Sequence, residues 1–278
     1  MSLRIIMNIQ ENEFRYIADV VAEHSGIVIS QGEEYLVESR LLPLAQGMKL
    51  SSIGELVKRL QANPFGSDLL AQVVDAMAIS ETSFFRDRSL FEILRKRIIP
   101  DLIDRRSHER QLNIWCGACS TGQEPYSLAM LLKENFPMLA RWTTRIVGSD
   151  LSKPSIARAR QGIYTQIEVS RGLPPDYLVK YFQRGSLTWQ IDEKLREMVE
   201  FVEINLVKNW QLPSAMDIVL LRNVLIYFSI ENKKRVLAKI RRVLRPDGFL
   251  FLGSAETTVN LDDTFQIVPF DKVVGYRL

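Results

Sequence analysis

The chain has 278 residues, of which 46% are hydrophobic and 25% are charged, a composition typical of a globular protein with more than one compact core. A net charge of +3, from 36 basic and 33 acidic residues, gives no reason to expect a nucleic-acid-binding protein. No apolar run approaches the ~18 residues that span a bilayer, and the N-terminus has no signal-peptide pattern. Two cysteines imply no disulfide framework, so we expect a cytoplasmic protein.

The first 78 residues predict a small all-helical domain. Apolar residues recur at helical spacing from Phe14 to Val21, and Ser25-Gly26 closes that helix. Three further helical patterns follow, near residues 35–45, 53–60 and 69–77, and Asn63-Pro64 ends the middle one. No strand pattern interrupts this part of the chain.

From residue 79 to residue 278 the pattern changes to alternating strands and helices. Strands are predicted at 112–116, 145–149, 200–204, 217–221 and 249–252, and a hairpin at 265–277. Strands that alternate with helices indicate a parallel sheet covered on both faces, so we predict a doubly wound, Rossmann-like α/β domain whose terminal antiparallel hairpin makes the sheet mixed. The connection over about 161–198 is too long for a structureless loop, and predicts an inserted subdomain with a strand at 187–191.

The loop after the first of these strands predicts a ligand site. Ligands of open α/β sheets bind beyond the carboxyl ends of the strands, and Gly117-Ala118 lets the backbone approach a ligand there. Asp150 ends the second strand, where a carboxylate either accepts hydrogen bonds from ribose hydroxyls or only caps the next helix. Glu124 adds a second acid, and the two acids favour a cationic sulfonium cofactor over a dinucleotide.

Three other chemistries compete for the same loop. Trp115–Cys119 resembles the thioredoxin active-site motif, which keeps a dithiol oxidoreductase based on Cys116 and Cys119 as an alternative. The spacing of a P-loop is present, but Gln123 stands where the phosphate-binding lysine is required. A zinc site lacks a second ligand pair, so no metal is expected.

Four segments together resemble the CheR family of chemotaxis methyltransferases. They are Ser80–Asp87, Cys119–Ser127, Asp217–Phe228 and Arg245–Glu256. With the helical front domain, the resemblance covers nearly the whole chain. It implies a class I methyltransferase that moves a methyl group from S-adenosylmethionine to glutamate side-chain carboxylates of chemoreceptors, leaving S-adenosylhomocysteine and glutamyl methyl esters.

The site expected from this resemblance and from the loop has a cofactor part and an acceptor part. The cofactor-binding residues are expected to be Ser80, Thr82, Arg86, Gly117, Ala118, Glu124, Asp150, Asn205, Leu206, Asn223 and Val224. The catalytic candidates, expected to hold the acceptor carboxylate or to shape the methyl pocket, are Arg222, Tyr227 and Arg86. Ser80 departs from the family, which usually has asparagine there. A glutamate side chain is already ionised at pH 7, so no general base is expected.

The resemblance also implies partners. The family's front domain is credited with binding acidic cytoplasmic helices of receptors through a basic helix, whereas the first 75 residues here hold six basic and ten acidic residues. The stretch Arg184–Thr188 is short and Gly-poor compared with family members that dock a receptor tail peptide, so we expect an enzyme independent of such a tether. We further expect a monomer with no nucleic-acid partner and no membrane insertion.

Two rival functions stay open at this point. One is a class I methyltransferase with another acceptor, although Arg222–Leu225 occupies the place of the Asn-Pro-Pro-Tyr type motif of base-amino methylation. The other is a cofactor-binding regulatory module that has lost turnover, since binding and catalytic residues overlap.

Overall fold

A computed structural model of the chain describes residues 9–62, 67–212 and 215–278. The chain divides into two compact units: the first runs to Ile79 and includes Tyr227–Asn232, and the second comprises Ser80–Ile226 and Lys233–Leu278. The helix end predicted at Asn63-Pro64 lies outside the described residues. Within the described ranges, no helix combines the length and the apolar content needed to cross a membrane.

The first unit is helical, as the sequence predicted. Its helices are α1 (Glu11–Ser25), α2 (Glu34–Gly47), α3 (Ile53–Ala62) and α4 (Ser67–Met77). Ile17, Leu41 and Leu56, from three different helices, are fully buried in one apolar core. Because each helix contributes one apolar stripe, the helices cover one another's apolar surface.

The remaining α-helices and the strands lie in the second unit. In chain order they are α5 (Arg88–Ile93), a π-helical turn (Leu94–Ile98), α6 (Ile99–Arg105), β1 (Gln111–Gly117), α7 (Gln123–Asn135), β2 (Thr143–Asp150), α8 (Lys153–Gln161), β3 (Ile163–Thr165), α9 (Gln166–Ser170), α10 (Pro175–Tyr181), β4 (Phe182–Arg184), β5 (Thr188–Ile191), α11 (Glu193–Arg196), β6 (Val199–Glu203), β7 (Met216–Leu221), α12 (Ile230–Val243, whose first three residues fall in the first unit), β8 (Leu244–Leu252), β9 (Gln266–Phe270) and β10 (Val273–Arg277).

Seven of the strands form one mixed sheet in the order β6-β2-β1-β7-β8-β10-β9. The first five are parallel to one another, and β10 pairs antiparallel with both β8 and β9. All six residues of β7 are buried, as expected for a central strand with helices on both faces. The predicted doubly wound fold with a terminal hairpin is therefore confirmed.

The strand order places a switch point beside β1. From β1 the chain moves outward to β2 and β6 and then returns to the other side of β1, where β7 lies. Ligands of such sheets bind at the carboxyl ends of the two strands flanking this reversal. The loops after β1, β2 and β7 therefore define the region in which a cofactor site is expected.

Residues 163–191 form a separate small sheet in the order β3-β5-β4, with both pairs antiparallel. Only β5 was anticipated, because strands of three residues are too short to give a readable periodicity. The β4–β5 hairpin is tight: the Gly185 N–H donates to the Thr188 carbonyl at 2.8 Å.

Candidate functional site

The β1–α7 loop has an unusual backbone. Ala118, Ser120 and Gly122 have φ values of +55°, +51° and +92°, the left-handed region that non-glycine residues seldom adopt. At Gly122 a Cβ would lie 2.9 Å from the Ala159 Cβ and 3.0 Å from the Phe201 ring, so only glycine fits. Three of the loop's N–H groups are bonded within the chain, those of Cys119 to the Ser149 carbonyl, Ser120 to Asp150 and Gly122 to the Cys119 carbonyl, so the strained loop is fixed in place at the end of β1.

Asp150 links this loop to the end of β2. Its Oδ2 accepts a hydrogen bond from the Ser120 N–H at 2.7 Å, and its Oδ1 accepts one from the Ser152 N–H at 2.9 Å. The N-cap of α8 is Ser152, whose hydroxyl accepts from the Ser155 N–H at 3.3 Å. Asp150 is therefore not the cap residue of that helix, and each carboxylate oxygen retains a second lone pair for a ligand hydroxyl.

Burial raises the pKa of Asp150, and the N–H groups that it accepts from lower it in part. A carboxylate held in this way is a strong acceptor for hydroxyl groups, because few water molecules compete for it.

Arg222 lies directly after β7 and is buried, its side chain 3% exposed. It donates to Glu124 Oε2 at 2.7 Å, to the Asp87 carboxylate, and to the Arg86 carbonyl at 3.3 Å. Glu124, in the first turn of α7, is buried beside it. Two carboxylates around one guanidinium leave one net negative charge.

These partners differ from the ones that the sequence indicated. Arg222 was expected to hold an acceptor carboxylate; its guanidinium donates to two carboxylates of the chain itself, and the direct contact with an acceptor stays a prediction. The two ion pairs, in which Glu124 is buried and Asp87 is about half exposed, join β7, α7 and the segment before α5, so Arg222 also fixes the position of these elements.

The segment Ser80–Asp87 is held against the β1–α7 region by several contacts. The Ser80 carbonyl accepts from the Ser120 hydroxyl at 2.8 Å, and the Phe85 N–H donates to the Ser127 hydroxyl at 2.9 Å. Thr82 and Arg86 are half-buried, and the Arg86 guanidinium donates to the Glu81 carbonyl at 3.1 Å. The structure thus brings this segment, predicted for the site, next to the β1–α7 loop.

The residues after β6 and β7 are ordered by local hydrogen bonds. The Asn205 side chain accepts from the Val207 N–H at 3.1 Å, and Leu206 is buried with its carbonyl accepting from Trp210 Nε1 at 3.1 Å. Asn223, with φ +59°, begins the turn that Val224 continues.

Tyr227 belongs to the first, helical unit. It ends a single 3-10 turn (Leu225–Tyr227), and its carbonyl accepts from the Val28 N–H at 2.8 Å. Its assignment as a catalytic residue stays a prediction.

The two cysteines do not have the environment of a redox dithiol. Cys116 and Cys119 are both buried, and burial raises the pKa of both thiols well above the ordinary value. A reactive dithiol requires an exposed cysteine with a lowered pKa. The oxidoreductase alternative is therefore not favoured.

Two functional candidates were missed by sequence reasoning. Asp87 shares Arg222 with Glu124, and Glu256 accepts four backbone N–H groups around Asn223 and Gly253. Both residues lie in the segments that carried the family resemblance, so their position was available as a signal, but apart from Gly253 their partners lie 30 or more residues away in sequence.

The residues brought together fit a cofactor that carries a ribose and a positive charge. Asp150 offers acceptors for ribose hydroxyls, and the two arginines (Arg86 and Arg222) and the three acids (Glu124, Asp87 and Asp150) together leave one net negative charge. Negative charge of this kind disfavours a pyrophosphate and favours a sulfonium.

Two family profiles match the chain. Residues 12–78 match the all-alpha domain of CheR methyltransferase, and residues 80–274 match the CheR methyltransferase SAM binding domain. The second match alone covers more than half of the chain.

Several relatives are similar to this chain over most of its length. Chemotaxis protein methyltransferase 1 of Pseudomonas aeruginosa is 39% identical over 276 residues, covering 98% of this chain and 99% of that protein. Chemotaxis protein methyltransferase 1 of Vibrio cholerae is 34% identical, with 98% of each chain covered. The chemotaxis protein methyltransferase of Salmonella typhimurium is 31% identical, covering 93% of this chain and 88% of the relative.

Proposed function

The chain belongs to the CheR family of S-adenosylmethionine-dependent methyltransferases, and on that premise we propose that it methylates glutamate side-chain carboxylates of chemoreceptors to give methyl esters. The named relatives are chemotaxis methyltransferases that match this chain over nearly their full length, which supports a chemoreceptor as the substrate.

One observation carries the choice of a carboxylate acceptor. Each of the four carboxylates described at the site already has partners in the chain: Glu124 and Asp87 are paired with Arg222, and Asp150 and Glu256 accept backbone N–H groups. In the proposal none of the four acts as a general base, because Asp150 uses its remaining lone pairs for the ribose. A glutamate acceptor needs no base because it is already ionised at pH 7, whereas a hydroxyl or ammonium acceptor must lose a proton.

S-adenosylmethionine supplies, when bound, a methyl group made electrophilic by its positively charged sulfur. In the proposal, Asp150 binds the ribose, Asn205 and Leu206 lie at the adenine, and Asn223 and Val224 complete the pocket. Gly117 and Ala118 allow close backbone approach, while Ser80, Thr82 and Arg86 close the site from the segment before α5. The chain thus contributes alignment and exclusion of water rather than proton transfer.

On the acceptor side, Arg86 and Tyr227 are the proposed contacts of the glutamate carboxylate or the methyl pocket. Arg222 acts indirectly: by fixing Asp87 and the Arg86 carbonyl, it sets the position of the segment that carries Arg86. The direct contact with the acceptor carboxylate that the sequence indicated for Arg222 stays a prediction beside this role.

We further propose that the receptor is recognised through its cytoplasmic helices by a monomeric, cytoplasmic enzyme without a tether peptide. A tether peptide that added a strand to the small sheet would find an edge strand, β4, of only three residues. So short an edge offers few backbone hydrogen bonds, which supports independence from such a peptide.

The test is methyl transfer to receptor-rich membranes. Purified protein is incubated with methyl-labelled S-adenosylmethionine and membranes, and the labelled receptor is then treated with mild base. We expect most of the label to be released as methanol, because carboxyl esters hydrolyse in base whereas N-methyl and S-methyl groups do not.

An Asp150→Asn variant and membranes without chemoreceptors serve as controls, and both should incorporate little label. Base-stable label on the receptor would replace the glutamate acceptor with another one. Cofactor binding without any receptor label would support a regulatory module instead.

A further inference from the structure

The Glu256 carboxylate accepts hydrogen bonds from four backbone N–H groups. Its Oε1 accepts from the Val224 N–H at 2.8 Å and from the Ile226 N–H at 3.2 Å. Its Oε2 accepts from the Asn223 N–H at 2.8 Å and from the Gly253 N–H at 2.6 Å. One side chain in the loop after β8 thereby holds the turn that follows β7.

The turn needs such an acceptor. Asn223 has φ +59°, a conformation that is unfavourable for most residues, and the 3-10 turn that begins at Leu225 leaves the preceding N–H groups without helical partners. Backbone N–H groups left unbonded in a half-buried turn are costly. A carboxylate has enough lone pairs to satisfy all four N–H groups at once.

Gly253 fits the same arrangement. A Cβ at this position would lie 2.7 Å from Glu256 Oε2, 2.8 Å from Asn223 Nδ2 and 2.9 Å from the Asn223 backbone nitrogen. The ends of β7 and β8 are therefore packed so closely around the carboxylate that a side chain at residue 253 would displace it.

We propose that Glu256 is a positioning residue of the cofactor site, whose carboxylate holds Asn223 and Val224 in the conformation that contacts the cofactor. The inference rests on the proposed contacts of these two residues. Charge alone does not explain it, because the four donors require two oxygen acceptors: a glutamine would place its NH₂ group against two N–H donors and lose both hydrogen bonds.

The test compares three single variants of the full chain by titration calorimetry with S-adenosylhomocysteine. Glu256→Gln removes two acceptors, Gly253→Ala displaces the carboxylate without removing its charge, and Glu193→Gln makes the same chemical change at an exposed position of α11. We expect the first two to weaken binding at least tenfold and the control to change it less than twofold, all measured well below each variant's Tm.

Amide hydrogen exchange gives a second readout, which can be measured on the wild type alone and compared with Glu256→Gln. The Asn223, Val224 and Ile226 amides should be protected, more so with S-adenosylhomocysteine bound, and should exchange faster in Glu256→Gln. A Glu256→Gln protein with a lowered Tm but unchanged affinity has lost only a structural contact, and that outcome overturns the proposal. If that variant does not fold, unchanged affinity in Gly253→Ala or unprotected wild-type amides overturns it equally.

These measurements involve no acceptor. A protein that binds S-adenosylhomocysteine through the Glu256-held turn but esterifies no receptor would contradict the proposed function and leave this inference standing. Normal receptor esterification by Glu256→Gln with unchanged cofactor affinity would support the proposed function and contradict this inference.

Discussion

Asp150 joins two parts of the fold and keeps lone pairs free for a ligand. Its two oxygens bind the β1–α7 loop and the start of α8, and the remaining lone pairs are proposed to accept the ribose hydroxyls. A single carboxylate that does both fixes the loop before the cofactor arrives, so less ordering is required on binding.

Asp150→Ala should weaken S-adenosylhomocysteine binding at least tenfold, because each lost charge-assisted hydrogen bond is worth ~1.5–3 kcal/mol. Titration calorimetry measures the affinity, and Ser152→Ala is the matched control, since it removes the helix cap and leaves the carboxylate in place. That control should lower the Tm with affinity within twofold. Equal loss of affinity in the two variants would reduce Asp150 to a structural link.

The same residue predicts a pH dependence. Because burial raises the pKa of Asp150, the carboxylate should be lost at a higher pH than an exposed aspartate, and affinity should decline as the pH falls through that raised pKa. Asp150→Asn, which cannot titrate, should show a flat and lower affinity over the same range.

At the scale of elements, two buried arginines hold the two ends of β7. Arg222, after the strand, joins Glu124 and Asp87, while Arg106 bonds Asp217, near the start of the strand, at 2.7 Å, and Asp247 at 2.6 and 2.9 Å. A guanidinium presents several donors in one plane and can serve two carboxylates, which a lysine ammonium does with poorer geometry.

Arg222 and Arg106 together allow a test of whether the effect of an arginine depends on its place relative to the cofactor site. Arg222→Lys and Arg106→Lys should both destabilise the fold, since disrupting a buried ion pair costs up to about 3–5 kcal/mol. Only Arg222→Lys should also weaken S-adenosylhomocysteine binding, by about tenfold, when both are measured below their Tm. Unchanged affinity in Arg222→Lys would mean that its cluster supports the strand end and not the site.

At the scale of the whole molecule, the helical unit is the candidate for receptor recognition. Among its basic residues, Arg40 is occupied, because its guanidinium donates to the Met77 carbonyl at 2.6 Å. Lys58 and Arg59 are exposed on α3 and are better candidates for an acidic partner.

Reversing Lys58 and Arg59 to Glu in the full-length protein should lower receptor methylation at least fivefold at low salt and leave S-adenosylhomocysteine affinity unchanged. Added salt should weaken wild-type methylation, since exposed charges are screened over about 8–10 Å. Lys234→Glu with Arg242→Glu, the same change at exposed positions of α12, is the control. Equal losses in both double variants would show attraction by overall charge rather than recognition by α3.

The sequence by itself determined the order of the elements, the fold class and the family, because these depend on local periodicity and on motifs read along the chain. Asp150 and the Gly117–Gly122 loop were also predicted from sequence, since a doubly wound fold places the ends of its strands at one edge of the sheet. Three-residue strands such as β3 and β4 were missed because they are too short for a pattern.

Only the tertiary structure decided the partners of buried charges. Arg222 pairs with Glu124 and Asp87, which lie 98 and 135 residues away in sequence and were not predicted as its partners. No sequence pattern indicated that Glu256 accepts hydrogen bonds from four backbone N–H groups, which lie 3 to 33 residues away along the chain. Periodicity and motif describe one segment at a time, whereas the pairing of a buried charge is fixed by which segments the sheet brings together.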